Sequence, residues 1–292
     1  MTEDRAQQQA GDPHKGELPG LGILAGGGPL PRRIADARRA VGGAVFIIAF
    51  EGQTEPETVT GLDHVWHRLG ATSTSIKVLK AAGCHEVVMA GPMKRPALSE
   101  LSLDARSALA IARAGSKVFG DDGLLSVIVG ELEREGFRVI GIEDVLGGYL
   151  APTGRIAGRT SLNDDELADI RRGIEVLQAI GAADVGQAVA VQEGLILAVE
   201  AVEGTDAMIA RAGVLKRVGR GPILIKGLKP GQDARADRPT IGAATMQAAA
   251  EAGFAGAVIE AHASLVIDRP ATVRAAEDAG LFLHGLVFED ML

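Results

Sequence analysis

LGILAGGGPLP, residues 21–31, is the stretch whose reading decides the fold. Leu21, Ile23 and Leu24 form a short apolar run, the pattern of a strand covered on both faces. Gly26, Gly27 and Gly28 end it, and Pro29-Leu30-Pro31 leads into a helix expected over residues 32–41. Strand, glycine turn and helix in this order open a nucleotide-binding α/β unit. The glycines let backbone approach a ligand closely, and the helix start favours anions. The turn is neither GxGxxG nor GxxxxGKS/T, and a tight turn needing positive φ is its purely structural explanation.

The same alternation continues outward. Strands are expected over residues 43–50, 64–67, 85–90 and 137–142, and helices over 73–82, 107–118 and 124–135. His64 and His67 are expected on one face of an edge strand, in structural roles. The strand at 85–90 runs into GPMKRP, a constrained loop carrying Lys94. In the turn GDDG, Asp122 suits a helix N-cap, which leaves Asp121 to face a ligand. Residues 19–150 therefore read as a Rossmann-like domain with a parallel sheet. Residues 151–163 read as an interdomain linker and 164–292 as a second, mixed α/β domain. In it a helix over 164–179 is expected to show Asp169 and Arg172 on its exposed side.

Composition narrows the function. With 47% hydrophobic but only 3% aromatic residues, the core must be aliphatic. A net charge of -8 argues against a nucleic-acid partner, although local Lys and Arg can still meet an anionic substrate. The single cysteine, Cys84, cannot form an intrachain disulfide and fits a reducing compartment. Residues 1–18 are polar, so a disordered tail and no secretory signal are expected, and no apolar run reaches membrane-spanning length. A cytoplasmic protein is expected, with peripheral contact at a membrane surface compatible with this.

The second focus is GPILIKGLKPGQDARADRPTIG, residues 221–242. An apolar strand, 222–226, opens into a long loop with Lys226, Lys229, Asp233, Arg235, Asp237 and Arg238. Loops leaving buried strands are where α/β proteins build sites. Cations mixed with carboxylates suit an anionic substrate and a divalent metal; a solvated surface loop is the plain alternative. Upstream, Glu200 ends an apolar run, and a carboxylate there is expensive to bury unless paired or metal-bound. A salt bridge to Lys226, Lys229 or Arg211 is its ordinary explanation. There is no GxSxG elbow and no HExxH, so any chemistry must run on Asp/Glu, Lys/Arg and magnesium, a set suited to phosphoryl transfer.

Five segments in order carry a family resemblance: GILAGGGPLP, AGPMKRP, GDDGLL, DVGQAVAVQEGLILAVEAVEGTDAMI and KPGQDARADRPTIG. Together they resemble the LpxI-type UDP-2,3-diacylglucosamine pyrophosphatases of lipid A biosynthesis. The resemblance implies hydrolysis of UDP-2,3-diacylglucosamine to UMP and 2,3-diacylglucosamine 1-phosphate, with Mg2+, water attacking the β-phosphorus, substrate between two domains, and a homodimer. It makes Asp237 the essential carboxylate of the DxPTIG segment, with Lys226 and Lys229 beside it in catalysis. Asp206 and Asp121 join Asp237 as expected metal ligands. Gly26, Gly27, Gly28, Lys94, Gln187, Glu193, Thr205 and Thr240 are the expected substrate contacts. The chain departs from the pattern at Arg238, where an apolar residue is common. A nucleotide-sugar transferase and a non-catalytic nucleotide- or lipid-binding protein remain the alternatives.

Overall fold

A computed structural model describes residues 18–93, 104–114 and 123–292. The expected tail, Lys94, Asp121 and Asp122 lie outside these residues, apart from Leu18, which is exposed.

In the first half β1 (Gly20–Ala25) lies at the centre of a parallel sheet between β2 (Val45–Phe50) and β4 (Cys84–Ala90). β3 (His64–His67) and β5 (Arg138–Val139) complete the order β3-β2-β1-β4-β5. Side chains alternate across a strand, and β1 uses both faces. Leu21, Ile23 and Ala25 pack with Ile34 and Ala35 of α1 (Leu30–Ala40). Leu24 joins the opposite core, with Ile76 and Leu79 of α3 (Thr72–Ala81) and Val129 and Leu132 of α5 (Gly123–Arg134). Between these helices lie a single helical turn, α2 (Pro56–Val59), and α4 (Ala105–Ala114); α6 (Ile142–Val145) follows β5. Strand order reverses between β1 and β4, so the loops after these two strands flank the switch point where doubly wound sheets bind ligands.

The second half is a mixed sheet, β6-β13-β11-β9-β7-β8. Its parallel centre is β9 (Ile223–Lys226), β11 (Gly256–Glu260) and β13 (Phe282–Leu286). The hairpin β7 (Ala188–Gln192) and β8 (Leu195–Val199) runs antiparallel on one side, and β6 (Gly154–Ala157) on the other. Helix α7 (Asp164–Ala182) covers one face through Ile170, Ile174 and Leu177. The other face takes α8 (Thr205–Leu215), α9 (Ala243–Glu251) and α10 (Arg269–Asp278), whose core residues include Met208, Ile209, Met246, Ala249 and Ala276. Small alanines let these helices lie close to the sheet, as the aliphatic composition requires.

Three local expectations change. β6 falls inside the stretch read as a linker: Ile156 and Ala157 are buried, and a four-residue edge strand amid polar residues leaves almost no periodic signal. Asp169 is 2% exposed rather than solvated, because it accepts the backbone N–H groups of Glu193 (2.8 Å) and Gly194 (2.6 Å). His64 and His67 do not share a face, since residues three apart on a strand point oppositely. His64 Nδ1 meets the Leu62 carbonyl and His67 Nδ1 the Ser75 hydroxyl, both at 2.8 Å.

A seam joins the halves. β12 (Leu265–Val266) pairs with β10 (Thr240–Ile241) on one side and bridges Leu150 on the other. Val266 N–H bonds the Tyr149 carbonyl (2.7 Å), and Ala151 N–H that of Ser264 (2.9 Å). Leu265, fully buried, belongs to the core of the first half although the chain has by then built most of the second. Leu265→Ala should therefore cost about 2–5 kcal/mol. Urea unfolding followed by probes in each half should show both transitions moving together; a shift confined to one half would contradict this coupling.

Candidate functional site

The site begins at the carboxyl end of β9. Lys226 opposes Ala188 of β7 and Ile259 of β11 through its backbone, and its side chain is only 6% exposed. Its ammonium donates to Thr205 Oγ1 at 2.8 Å, and among the described residues no carboxylate pairs with it. Thr205 opens α8 and donates its hydroxyl hydrogen to Glu200 Oε1 (2.6 Å). Glu200 Oε2 accepts the Gln187 N–H (3.1 Å), so the expensive carboxylate is satisfied without a direct salt bridge. Gln187 Oε1 is buried with no hydrogen-bond partner among the described residues. A buried cation without a counter-ion and an acceptor without a donor at one sheet end are both costly. A ligand offering an anion and a hydroxyl or amide hydrogen would relieve both.

The loop that follows is compact. Lys229 is 2% exposed, and its ammonium reaches Asp184 Oδ1 at 3.0 Å, tying the loop to the end of α7. Gln232 links Lys229 N–H (3.1 Å) to Asp237 Oδ2 (3.1 Å), and the Asp237 N–H closes a turn on the Asp233 carbonyl. Asp237 is half-buried where this loop crosses to the first half. Its neighbours make the crossing: Ala236 packs with the α5 core, Arg235 donates to Glu133 (2.7 Å), and Arg238 forks onto Glu143 of α6. The departure at Arg238 is thus an interdomain clamp. Thr240 begins β10 and donates to the Arg238 carbonyl (3.0 Å). Arg235 beside Asp233 holds that carboxyl below its ordinary range.

Other expected contacts fall elsewhere. Glu193 occupies the two-residue hairpin turn between β7 and β8, at φ 50 with Gly194 at φ 78. Two positive φ values suit a tight hairpin. The turn lies at the far end of β7 from Gln187, roughly 15–20 Å along the strand. Asp206 is exposed in the first turn of α8. The N–H groups expected to meet a nucleotide are already committed: Gly26 to the Ala90 carbonyl (2.7 Å), Gly27 to that of Pro92 (2.8 Å), and Gly28 to Glu55 Oε2 (2.9 Å). Glycine is needed here for backbone contact across the switch point, since a Cβ on Gly26 would lie 2.4 Å from the Gly91 carbonyl oxygen.

Among the described residues no three of His, Cys, Asp and Glu converge as a metal site. Magnesium needs no such cage, because it commonly leans on one or two carboxylates and on substrate phosphates. Asp237, a half-buried oxygen donor on the crossing loop, fits that mode.

The sequence reading overlooked Glu260, at the end of the apolar strand β11. Its Oε2 accepts the Leu228 N–H (2.7 Å) and fixes the root of the Lys229–Asp237 loop. The cost of burying a carboxylate, applied to Glu200, would have singled out this residue too.

These features define a two-domain α/β protein with an anion-ready polar network at a strand end and a carboxylate loop at the domain crossing. The profile of the LpxI N-terminal domain matches residues 20–149, and that of the LpxI C-terminal domain matches 152–284. A relative from Caulobacter vibrioides, the UDP-2,3-diacylglucosamine pyrophosphatase LpxI, is 41% identical over 280 residues, covering 91% of this chain and 97% of the relative. The chain belongs to the LpxI family. Among solved structures, a biotin carboxylase domain of a single-chain bacterial carboxylase aligns at 20% identity over 59% of this chain and 35% of its own, with a TM-score of 0.22. An Aspergillus clavatus N5-carboxyaminoimidazole synthase aligns at 12% over 68% and 44%, TM-score 0.23. Such low scores carry no structural conclusion.

Burial lifts the Glu260 carboxyl above its ordinary range, with Glu289 adding to the lift and the Leu228 N–H opposing it. The folded protein then holds this proton to higher pH than the unfolded chain, so stability falls as pH rises through that window. Glu260→Gln, which keeps an oxygen for Leu228, should raise the thermal midpoint near pH ~8, and the gain should vanish near pH ~4. An equal gain at both pH values would refute burial of charge as its origin.

Proposed function

We propose that this chain hydrolyses the pyrophosphate of UDP-2,3-diacylglucosamine to UMP and 2,3-diacylglucosamine 1-phosphate. Family membership and the 41% identical relative support the substrate. The observation that carries the reading is Lys226, a buried ammonium held by one hydroxyl and unpaired among the described residues. A phosphoryl oxygen supplies the missing counter-charge, and fixed donors of this kind act most strongly where water is excluded. Asp237 presents its carboxylate at the domain crossing, and Gln187 offers its free oxygen to a sugar hydroxyl or a uracil N–H. Water attacks the β-phosphorus, the bridging P–O bond breaks, and its electron pair leaves with UMP.

Asp237 would hold Mg2+ together with substrate oxygens, with Asp206 and Asp121 as the further ligands. When bound, the ion offsets phosphoryl charge. Lys229 keeps the loop in place through Asp184, and Thr205 and Thr240 flank the substrate from α8 and β10. Lys94 and the turn of Gly26, Gly27 and Gly28 are assigned to the nucleotide, the glycines by allowing close approach of their backbone. The two acyl chains lie in an apolar groove between the halves, at about 0.8 kcal/mol per buried methylene. No helix among the described residues is long and apolar enough to cross a membrane. A cytoplasmic homodimer touching the inner membrane from its surface completes the proposal.

Incubated with UDP-2,3-diacylglucosamine alone, the protein should release UMP, and EDTA should stop it. Release that requires an added acceptor would instead mark a transferase. Asp237→Ala should abolish turnover while substrate binding stays within about threefold. Lys226→Met should lower kcat/KM by about 10²–10³-fold, the scale of losing one preorganised donor; wild-type turnover in that variant would overturn the anion site.

A further inference from the structure

The geometry points to Glu200 and Thr205 as a relay that positions Lys226 for the reaction, an inference that rests on the proposed role of Lys226. Hydrogen-bond direction fixes the relay. An ammonium can only donate and a carboxylate can only accept. Thr205 stands between them, accepting from Lys226 Nζ at 2.8 Å and donating to Glu200 Oε1 at 2.6 Å. Its single hydrogen is therefore drawn away from Lys226, and its lone pairs are turned toward the ammonium. Glu200 cannot leave this arrangement easily, because its other oxygen holds the Gln187 N–H and the residue is 7% exposed. Thr205 in turn is anchored as the first residue of α8, whose Met208 and Ile209 are fully buried. One of the three Lys226 N–H groups is thus spent on a fixed acceptor, and the other two are aimed rather than free to swing.

The relay also puts a negative charge one hydroxyl away from a buried cation instead of in contact with it. Direct contact would offset much of the Lys226 charge before a phosphate arrived. Through the hydroxyl, Glu200 orients the ammonium while its positive charge stays available to substrate. Glu200 is a positioning residue in this scheme, since it touches Lys226 only through Thr205. Glu200→Gln cannot reproduce it. An amide presents one oxygen and one NH2, so either the Gln187 N–H loses its acceptor or the Thr205 hydroxyl reverses.

Steady-state kinetics on the full chain with UDP-2,3-diacylglucosamine tests the relay, with thermal midpoints recorded for every variant. Thr205→Val, similar in shape but without the hydroxyl, should lower kcat by about 10²-fold with KM changed by less than about threefold. Thr205→Ser should restore kcat to within about threefold of wild type, and Glu200→Gln should lower kcat about tenfold. The split between kcat and KM, and the rescue by serine, are effects that a packing role at Thr205 would not produce. If Thr205→Val and Glu200→Gln keep wild-type kcat while Lys226→Met is inactive, the relay is wrong and the anion site stands. If Lys226→Met is itself active, the underlying reading fails. A serine variant as impaired as the valine one, at an unchanged thermal midpoint, also overturns the relay.

Discussion

The seam formed by residues 149–151 with β10 and β12 is the constraint from which the arrangement follows. A main-chain ladder cannot slip by less than a whole residue pair, and a fully buried leucine cannot leave its socket without opening a cavity. Leu265 meets both conditions at once, with backbone pairing on its own side and its side chain in the opposite core. The two sheets are therefore held in register at one line. The loop carrying Asp237 starts at β9 and ends at β10, so both of its ends are fixed before its own contacts are counted. Arg235 and Arg238 then fasten its far side to Glu133 and Glu143.

Within that frame the charges are distributed unevenly, and the unevenness is informative. Lys229, Arg235 and Arg238 all have carboxylate partners and act as fasteners. Among the described residues Lys226 has a hydroxyl instead, although it is nearly as buried as Lys229. Two lysines three residues apart in sequence thus divide the work, one closing a structure and the other left able to receive charge. The glycine turn shows the complementary case. It has the outline of a phosphate cradle, but its N–H groups are committed to Ala90, Pro92 and Glu55.

How much of this could be read from the chain depended on the range of the interaction. Strand, glycine turn and helix at residues 21–40 are local, and so they were legible, as were the buried strands ILIK and AVIE, whose apolar runs announce themselves. Glu200 was marked as costly from its neighbours alone, but the threonine that resolves the cost lies across a turn and could not be assigned. The family segment around Glu193 is continuous in sequence, whereas the strand β7 carries Gln187 and Glu193 to opposite ends of the sheet, a separation that the segment alone does not reveal. Asp169 looked solvated because helical spacing says which residues share a face but not which loop will cover it. The committed N–H groups, and the lack of a counter-ion for Lys226 among the described residues, are properties of neighbours brought from far along the chain, and no local pattern encodes them.

The position of β6 carries a consequence for how the protein is made. This strand opens the second half, yet its partner is β13, about 130 residues further on, and pairings of such long range form slowly. As the polypeptide leaves the ribosome, the first sheet can close before the second is half built. β6 must wait without its partner strand until translation is nearly finished. Losing the last strand would therefore strip the sheet at both its late and its early edge, and the nascent chain spends most of its synthesis with that edge open to chaperones or to misplaced pairing.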